Sequence, residues 1–259
     1  MDRRSPPRLR ICLALGLVLA LLAPPALADL CPPVPLDPPA LPAVSAALRA
    51  RQPITITAFG SSSTRGSGAS DETASYPARL EAALRAFLPG VTLRVFNRGV
   101  GGEDAAEMLA RLDADVIADR PQLVIWQAGG NGALRGRDPE QFGVMLREGI
   151  ARLHRAGADV MLMDSQRAPR ITAAPSAPRF ESMMSSVART ARAALFPRGR
   201  LMDSWAAAGV PHAELLIADG LHHNDRGYAC VAEALARNLL AALADPALHT
   251  TRGPFLTGR

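Results

Sequence analysis

The amino-acid sequence predicts an α/β domain: a central parallel sheet with helices on both faces. Three observations carry that expectation. Short strand-like runs recur along the chain and are apolar on both parities, as strands buried on both faces are. A helical pattern intervenes between each run and the next, which is how parallel neighbours are joined. Finally, 259 residues, 48% of them hydrophobic and 20% charged, suit one sizeable core better than two. The charged fraction is too low for a disordered chain. The 21 Gly and 22 Pro follow no three-residue period, which excludes a collagen-like one.

The first element is an address. Residues 1–28 carry Arg3, Arg4, Arg8 and Arg10, then the apolar run Ile11 to Ala23, then Pro24-Pro25 and Ala26-Leu27-Ala28. A basic start, a short apolar stretch and an A-x-A site form an export signal cleaved near Ala28. The run is too short for a comfortable bilayer span. We therefore expect a periplasmic or extracellular chain with no stable membrane anchor. Residues 29–53 are Pro-rich and read as an extended lead-in.

Strands and helices then alternate. Ile54–Phe59 is a β-branched run ending at Gly60. Tyr76–Leu88 is helical by its apolar spacing and is stopped by Pro89-Gly90. Val91–Phe96 is a second strand, closed by Asn97-Arg98-Gly99. Glu103–Ala118 places Ala105, Leu109, Leu112 and Val116 on one helical face. Leu123–Trp126 is a third strand, Pro139–Arg155 a helix and Val160–Met163 a fourth strand. Phe180–Phe196 reads as one helix stopped by Pro197, and Leu201–Met202 as a short fifth strand. Asp225–Leu243 is a long helix with Asn224 as its N-cap. No repeat or inner linker divides the chain. One domain is expected over 54–245, followed by a tail over 246–259. Phe59, Trp126 and Trp205 are expected in the core.

All 29 basic residues are Arg. That excludes a P-loop lysine and any lysine Schiff base. The Arg are scattered singly among acids, with no aromatic-interleaved stripe, so no nucleic-acid partner is expected. Of the three Cys, Cys12 leaves with the signal. Cys31 and Cys230 form either one disulfide or two separate buried thiols; spacing leaves both open.

In a parallel sheet of this kind, ligands bind beyond the carboxyl ends of the strands. Four polar segments fall there: Gly60-Ser61-Ser62-Ser63-Thr64, Asn97 to Glu103, Gly129-Gly130-Asn131-Gly132, and Asp219-Gly220-Leu221-His222-His223-Asn224. A serine hydroxyl needs an adjacent base, which His222 can supply. Asp219, three residues earlier, can orient that imidazole. The N–H of Ser62, the N–H of Gly102 at a helix N-terminus and the amide of Asn131 can face an oxyanion.

The same residues admit other readings. Gly99-Val-Gly-Gly fails as a dinucleotide turn, because the third glycine of that fingerprint would fall at Asp104. Asp219, His222, His223 and Asp225 offer metal-ligand types, but no second His or Cys cluster completes a site, so no metal is expected.

Taken together the four segments resemble the SGNH/GDSL hydrolase family, in that family's order, from Ile54 to about Ala241. AFGSSSTRG looks like its nucleophile block with Ser62, and NRGVGGED like its second with Gly102. AGGNGALRG resembles its third with Asn131, and DGLHHN its last with Asp219 and His222. The resemblance implies a flavodoxin-like three-layer α/β/α sandwich and a serine ester hydrolase needing no cofactor, acting on a small-molecule ester. An O-acyltransferase or deacetylase working on glycan hydroxyls, or a silent binding module on the same scaffold, would share it. Two departures stand out: Ser61 replaces the Asp of G-D-S, and Gly132 replaces the Asp of G-x-N-D. No G-x-S-x-G occurs, which argues against an α/β-hydrolase elbow. The segment Ser165–Ala177 reads as a loop. Its Gln166, Arg167 and Arg170 are candidates to meet a polar or anionic substrate, against the simpler reading of a surface loop.

Overall fold

The structure, a computed structural model, describes residues 31–244. The expected export signal and the tail over 246–259 lie outside the described residues.

Helix α1 (Pro42–Arg49) precedes strand β1 (Ile54–Gly60), which runs into the one-turn helix α2 (Ser62–Arg65). Then come α3 (Tyr76–Phe87), β2 (Leu93–Gly99), α4 (Ala105–Asp115), β3 (Leu123–Gln127), α5 (Gly130–Leu134), α6 (Pro139–Arg155) and β4 (Asp159–Met163). The chain closes with α7 (Pro169–Thr172), α8 (Ala177–Thr190), β5 (Ala194–Phe196), α9 (Arg198–Ala207) and α10 (Asp225–Leu243).

The five strands form one parallel sheet in the order β2-β1-β3-β4-β5. β3 and β4 are buried at every position, in keeping with their apolar runs Leu123–Trp126 and Val160–Met163. β2 lies at an edge and is half-buried or exposed past Leu93; Glu81 of α3 covers part of that edge by accepting the Val95 N–H at 2.6 Å. The chain moves one way from β1 to β2 and the other way from β2 through β3 to β5. Right-handed crossovers then set α3 on one face and α4, α6 and α8 on the other. α10 packs on α3, and α6 packs on both α4 and α8. Phe59 and Trp126 meet in the core with ring centroids 5.5 Å apart, and Trp205 of α9 is buried.

Three expectations are corrected. First, the lead-in is not wholly extended, because α1 forms within it. The Asp159 carboxylate at the start of β4 accepts the Ala43 and Val44 N–H groups, each at 3.0 Å, and so caps that helix from 115 residues away. The rest of the lead-in is strapped down by Trp205 Nε1–H donating to Pro32 O and by Asn238 Nδ2–H donating to Asp37 O, both at 3.0 Å. Second, the helix predicted over Phe180–Phe196 stops at Thr190. Arg192 adopts a left-handed backbone (φ +56°), and Ala194–Phe196 pairs with Met161–Met163 as β5. Third, Leu201 and Met202 are not a strand: they are fully buried on α9, on the same side as Trp205.

Cys31 and Cys230 are joined as a disulfide, which closes the lead-in onto α10 across 199 residues of sequence.

Candidate active site

The strand order reverses between β1 and β3, so a crevice opens beyond their carboxyl ends. Ser62 is the first residue of α2, directly after β1. Gly60 pairs with Gly99 at the end of β2. A Cβ at Gly99 would lie 2.1 Å from the Arg65 backbone nitrogen, so only glycine lets the β2 end close on the serine turn.

Ser61 faces inward. Its N–H and Oγ both donate to Gln127 Oε1, at 3.0 and 3.1 Å, and Thr64 Oγ1 reaches the same oxygen at 3.3 Å. Thr64 Oγ1 also contacts the Tyr76 hydroxyl at 3.2 Å, whose pKa burial pushes up to about 12. The buried amide of Gln127 therefore bolts the serine turn to the end of β3. Sequence reading passed over Gln127; the available signal was a polar residue ending an otherwise apolar strand.

On the far side of Ser62 stands the turn that precedes α10. His222 Nε2 is 2.8 Å from Ser62 Oγ, and His222 Nδ1 is 2.6 Å from Asp219 Oδ2. Asp219 Oδ1 accepts the N–H groups of Leu221 and His222, at 2.8 and 3.0 Å. Burial opposes ionisation of Asp219. The His222 backbone N–H, the imidazole and the Leu221 N–H outweigh it and hold the carboxyl below its usual value. An ionised Asp219 accepts only, so the imidazole proton sits on Nδ1 and the Nε2 lone pair faces the serine hydroxyl.

Gly102 comes to the same rim on the β2–α4 connection, and Asn131 in the first turn of α5. Asn131 Nδ2–H donates to Glu103 O at 2.8 Å, and Arg135 Nη2–H to Gly102 O at 2.8 Å. Arg111 stitches these loops: it pairs with Glu103 at 2.7 Å, donates to Arg98 O at 2.9 Å and to Gly60 O at 3.3 Å, and lies over the Phe59 ring. The expected helix start is corrected here. α4 begins at Ala105, with Asp104 and Glu107 forming a capping box, so Gly102 sits in the turn before the cap rather than at the helix N-terminus. Burial works against the Asp104 charge, but Arg135, the Glu107 and Ala106 N–H groups and Arg137 prevail and lower its pKa.

The two departures from the family pattern have local reasons. Ser61 meets Gln127 where an acid would stand. A Cβ at Gly132 would fall 2.7 Å from Phe180 Cε1, so the Phe180 ring already occupies the space of a side chain.

The residues weighed as metal ligands face different ways. His223 is buried and hydrogen-bonded through Nδ1 to Leu215 O at 2.9 Å; burial and then the nearby Arg198 charge drop its pKa to about 3. Asp225 is taken up by the N–H and Oγ–H of Ser70, at 2.8 and 2.7 Å. Of the loop candidates, Gln166 points under the site and is 3% exposed, and Arg167 pairs with Glu181 and Asp203. The Gln166 amide is taken up by its buried partners, and the Arg167 charge is matched by the two carboxylates. Arg170 is exposed, its stem beside Gly220. The segment is also less loop-like than expected, since α7 forms inside it.

Known proteins share this architecture. A family model described as "Non-GDSL lipase-like family" matches residues 31–245. The chain is 31% identical to Esterase TesA of Pseudomonas aeruginosa over 138 residues, which span 51% of this chain and 63% of that protein. It is 27% identical to an arylesterase of Vibrio mimicus over 169 residues, covering 65% and 80%. A crystal structure of TesA superposes with a TM-score of 0.62 at 27% identity, covering 73% of this chain and 99% of that one. The first of these relatives is thus matched over less than two thirds of its own length.

Proposed function

The chain belongs to the non-GDSL lipase-like family, and we propose that it is an exported serine hydrolase cleaving small acyl esters with Ser62, His222 and Asp219. The observation that supports this best is the unbroken relay Asp219–His222–Ser62, with contacts of 2.6 and 2.8 Å. The esterases among its relatives support the reaction class.

In this reading His222 Nε2 takes the Ser62 hydroxyl proton as Oγ attacks the ester carbonyl. Ser62 N–H, Gly102 N–H and Asn131 Nδ2–H bind the oxygen that becomes negative. Ser62 N–H is free for that role because the first N–H groups of a helix have no intrahelical acceptor. The imidazolium, stabilised by Asp219, protonates the departing alkoxide. Water then gives its proton to the same nitrogen and attacks the acyl-enzyme, which releases the acid. The export signal over residues 1–28 and the Cys31–Cys230 bridge, a bond typical of oxidising compartments, together support export. Among the described residues no helix is long and apolar enough to cross a membrane.

The test is turnover of a p-nitrophenyl ester by Ser62→Ala. Loss of at least ~10³-fold in kcat is expected. Turnover at the wild-type rate would overturn the assignment.

A further inference from the structure

We propose that Gln166 is a positioning residue that sets the distance between the Ser62 turn and the His222 turn. The proposal rests on the reading of Ser62 and His222 as nucleophile and base. These two residues lie 160 apart in sequence, on separate connections. Gln166 follows β4, and its side chain is buried beneath both turns.

Its Nε2 carries two hydrogens, and each turn receives one. Nε2 donates at 2.7 Å to Leu221 O, the residue before His222, and at 3.0 Å to Ser63 Oγ, the residue after Ser62. The amide orientation follows from chemistry. Its Oε1 accepts from Arg198 Nη2 at 2.6 Å, and a guanidinium can only donate. The oxygen therefore faces Arg198 and the nitrogen faces the two turns.

The anchor is rigid. Arg198 is wholly buried at the start of α9, and its Nε–H donates to Asp164 O at 3.0 Å. The Gly199 N–H donates to Asp164 Oδ1 at 2.9 Å. The brace thus runs from the end of β4 and the start of α9 into both turns.

One peptide shows the consequence. In the Leu221–His222 link the N–H is held by Asp219 and the C=O by Gln166. The backbone carrying the imidazole is clamped from both ends, while Ser63 is held by the same amide. Gln166 touches no reacting atom and acts through Ser63 and Leu221.

The experiment compares Gln166→Glu, Gln166→Met and Ser63→Ala in the full chain. Active sites are titrated with a fluorophosphonate, and kcat is expressed per titrated site. Gln166→Glu keeps an acceptor for Arg198 and removes the donors. Gln166→Met removes both, and Ser63→Ala removes one arm while leaving the Gln166–Arg198 contact in place. Losses of about 10–100-fold in kcat per site with KM within about twofold are expected for both Gln166 variants, as for small misplacements of reacting groups. Ser63→Ala should lose less, and adding it to Gln166→Met should cost nothing further. A merely structural role would lower the titratable fraction and the Tm but leave kcat per site unchanged. That result, or wild-type kcat per site in Gln166→Glu and Ser63→Ala, overturns the proposal. Should the Gln166 variants not fold, Ser63→Ala alone decides. Activity of Ser62→Ala is read separately: if that variant turns over ester, the functional reading fails whatever Gln166 does.

Discussion

Asn131 has one side-chain N–H on Glu103 O, which leaves its second for the proposed oxyanion contact. Asn131→Ala should therefore lower kcat by about 10²–10³ with little change in KM, as for other oxyanion donors, and steady-state kinetics on a short-chain ester will show it. Asp219→Asn keeps a side chain of the same shape but no longer selects the Nδ1–H tautomer. A fall in kcat of about 10³–10⁴ is expected. Gly132→Ala presses a methyl against the Phe180 ring and should cost about 1–3 kcal/mol of stability, read as a lower Tm. Ser62, Gly102 and Asn131 stood out in the sequence because each sits in a short motif after a strand, and Asp219 and His222 because theirs directly precedes the last helix. Gln127 did not, and Gln166 read only as a candidate substrate contact on a loop, because each acts through residues distant in sequence, such as Ser61 and Ser63, and no local pattern encodes such a partner.

Long helices were legible element by element. Pro139–Arg155 and Asp225–Leu243 were found at their bounds because periodicity, caps and breakers agree there. Short elements were not. Ala194–Phe196 is three residues long and continues a helical apolar pattern, so only its pairing with β4 makes it a strand. α1 escaped notice inside a Pro-rich stretch because its cap, Asp159, comes from the start of β4. The lead-in carries α1, and the Cys31–Cys230 bridge ties it to α10. Cys31→Ser with Cys230→Ser should destabilise the protein by about 2–5 kcal/mol, measured by denaturant unfolding. The bridge lies outside the catalytic turns, so kcat of the folded double variant at low temperature should stay near wild type.

At the level of the molecule, the sheet order places the crevice where β1 and β3 diverge, and all four motif segments converge on it. Alternation of strands and helices was enough to predict the parallel sheet; the strand order came only with the structure. Stability should depend on pH in two opposing ways. Asp104 and Asp219 have lowered pKa values, so their contributions are present above the ordinary carboxylate value and are lost as pH falls through the lower folded ones. Asp164 runs the other way. Burial raises its pKa to about 6 from an ordinary 3.8, so the folded state holds a proton that the unfolded chain releases between those values. Buried His223 opposes it over the same window: its folded pKa of about 3 lies below the ordinary 6.5, so its contribution grows as pH rises towards 6.5. Stability should rise on leaving acid and then stay roughly level between about pH 4 and pH 6, where the Asp164 and His223 contributions offset. Asp164→Asn, which keeps an acceptor for the Gly199 N–H, should tip that balance, so that stability climbs with pH between about pH 4 and pH 6 in thermal melts across pH 3–8.

The most direct measurement is to label the folded protein with a fluorophosphonate and locate the adduct by peptide mass spectrometry. A single adduct on Ser62, abolished in Ser62→Ala and strongly slowed in Asp219→Asn, is the predicted result. No adduct, or one on Ser61 or Ser63 that survives in Ser62→Ala, would contradict the account.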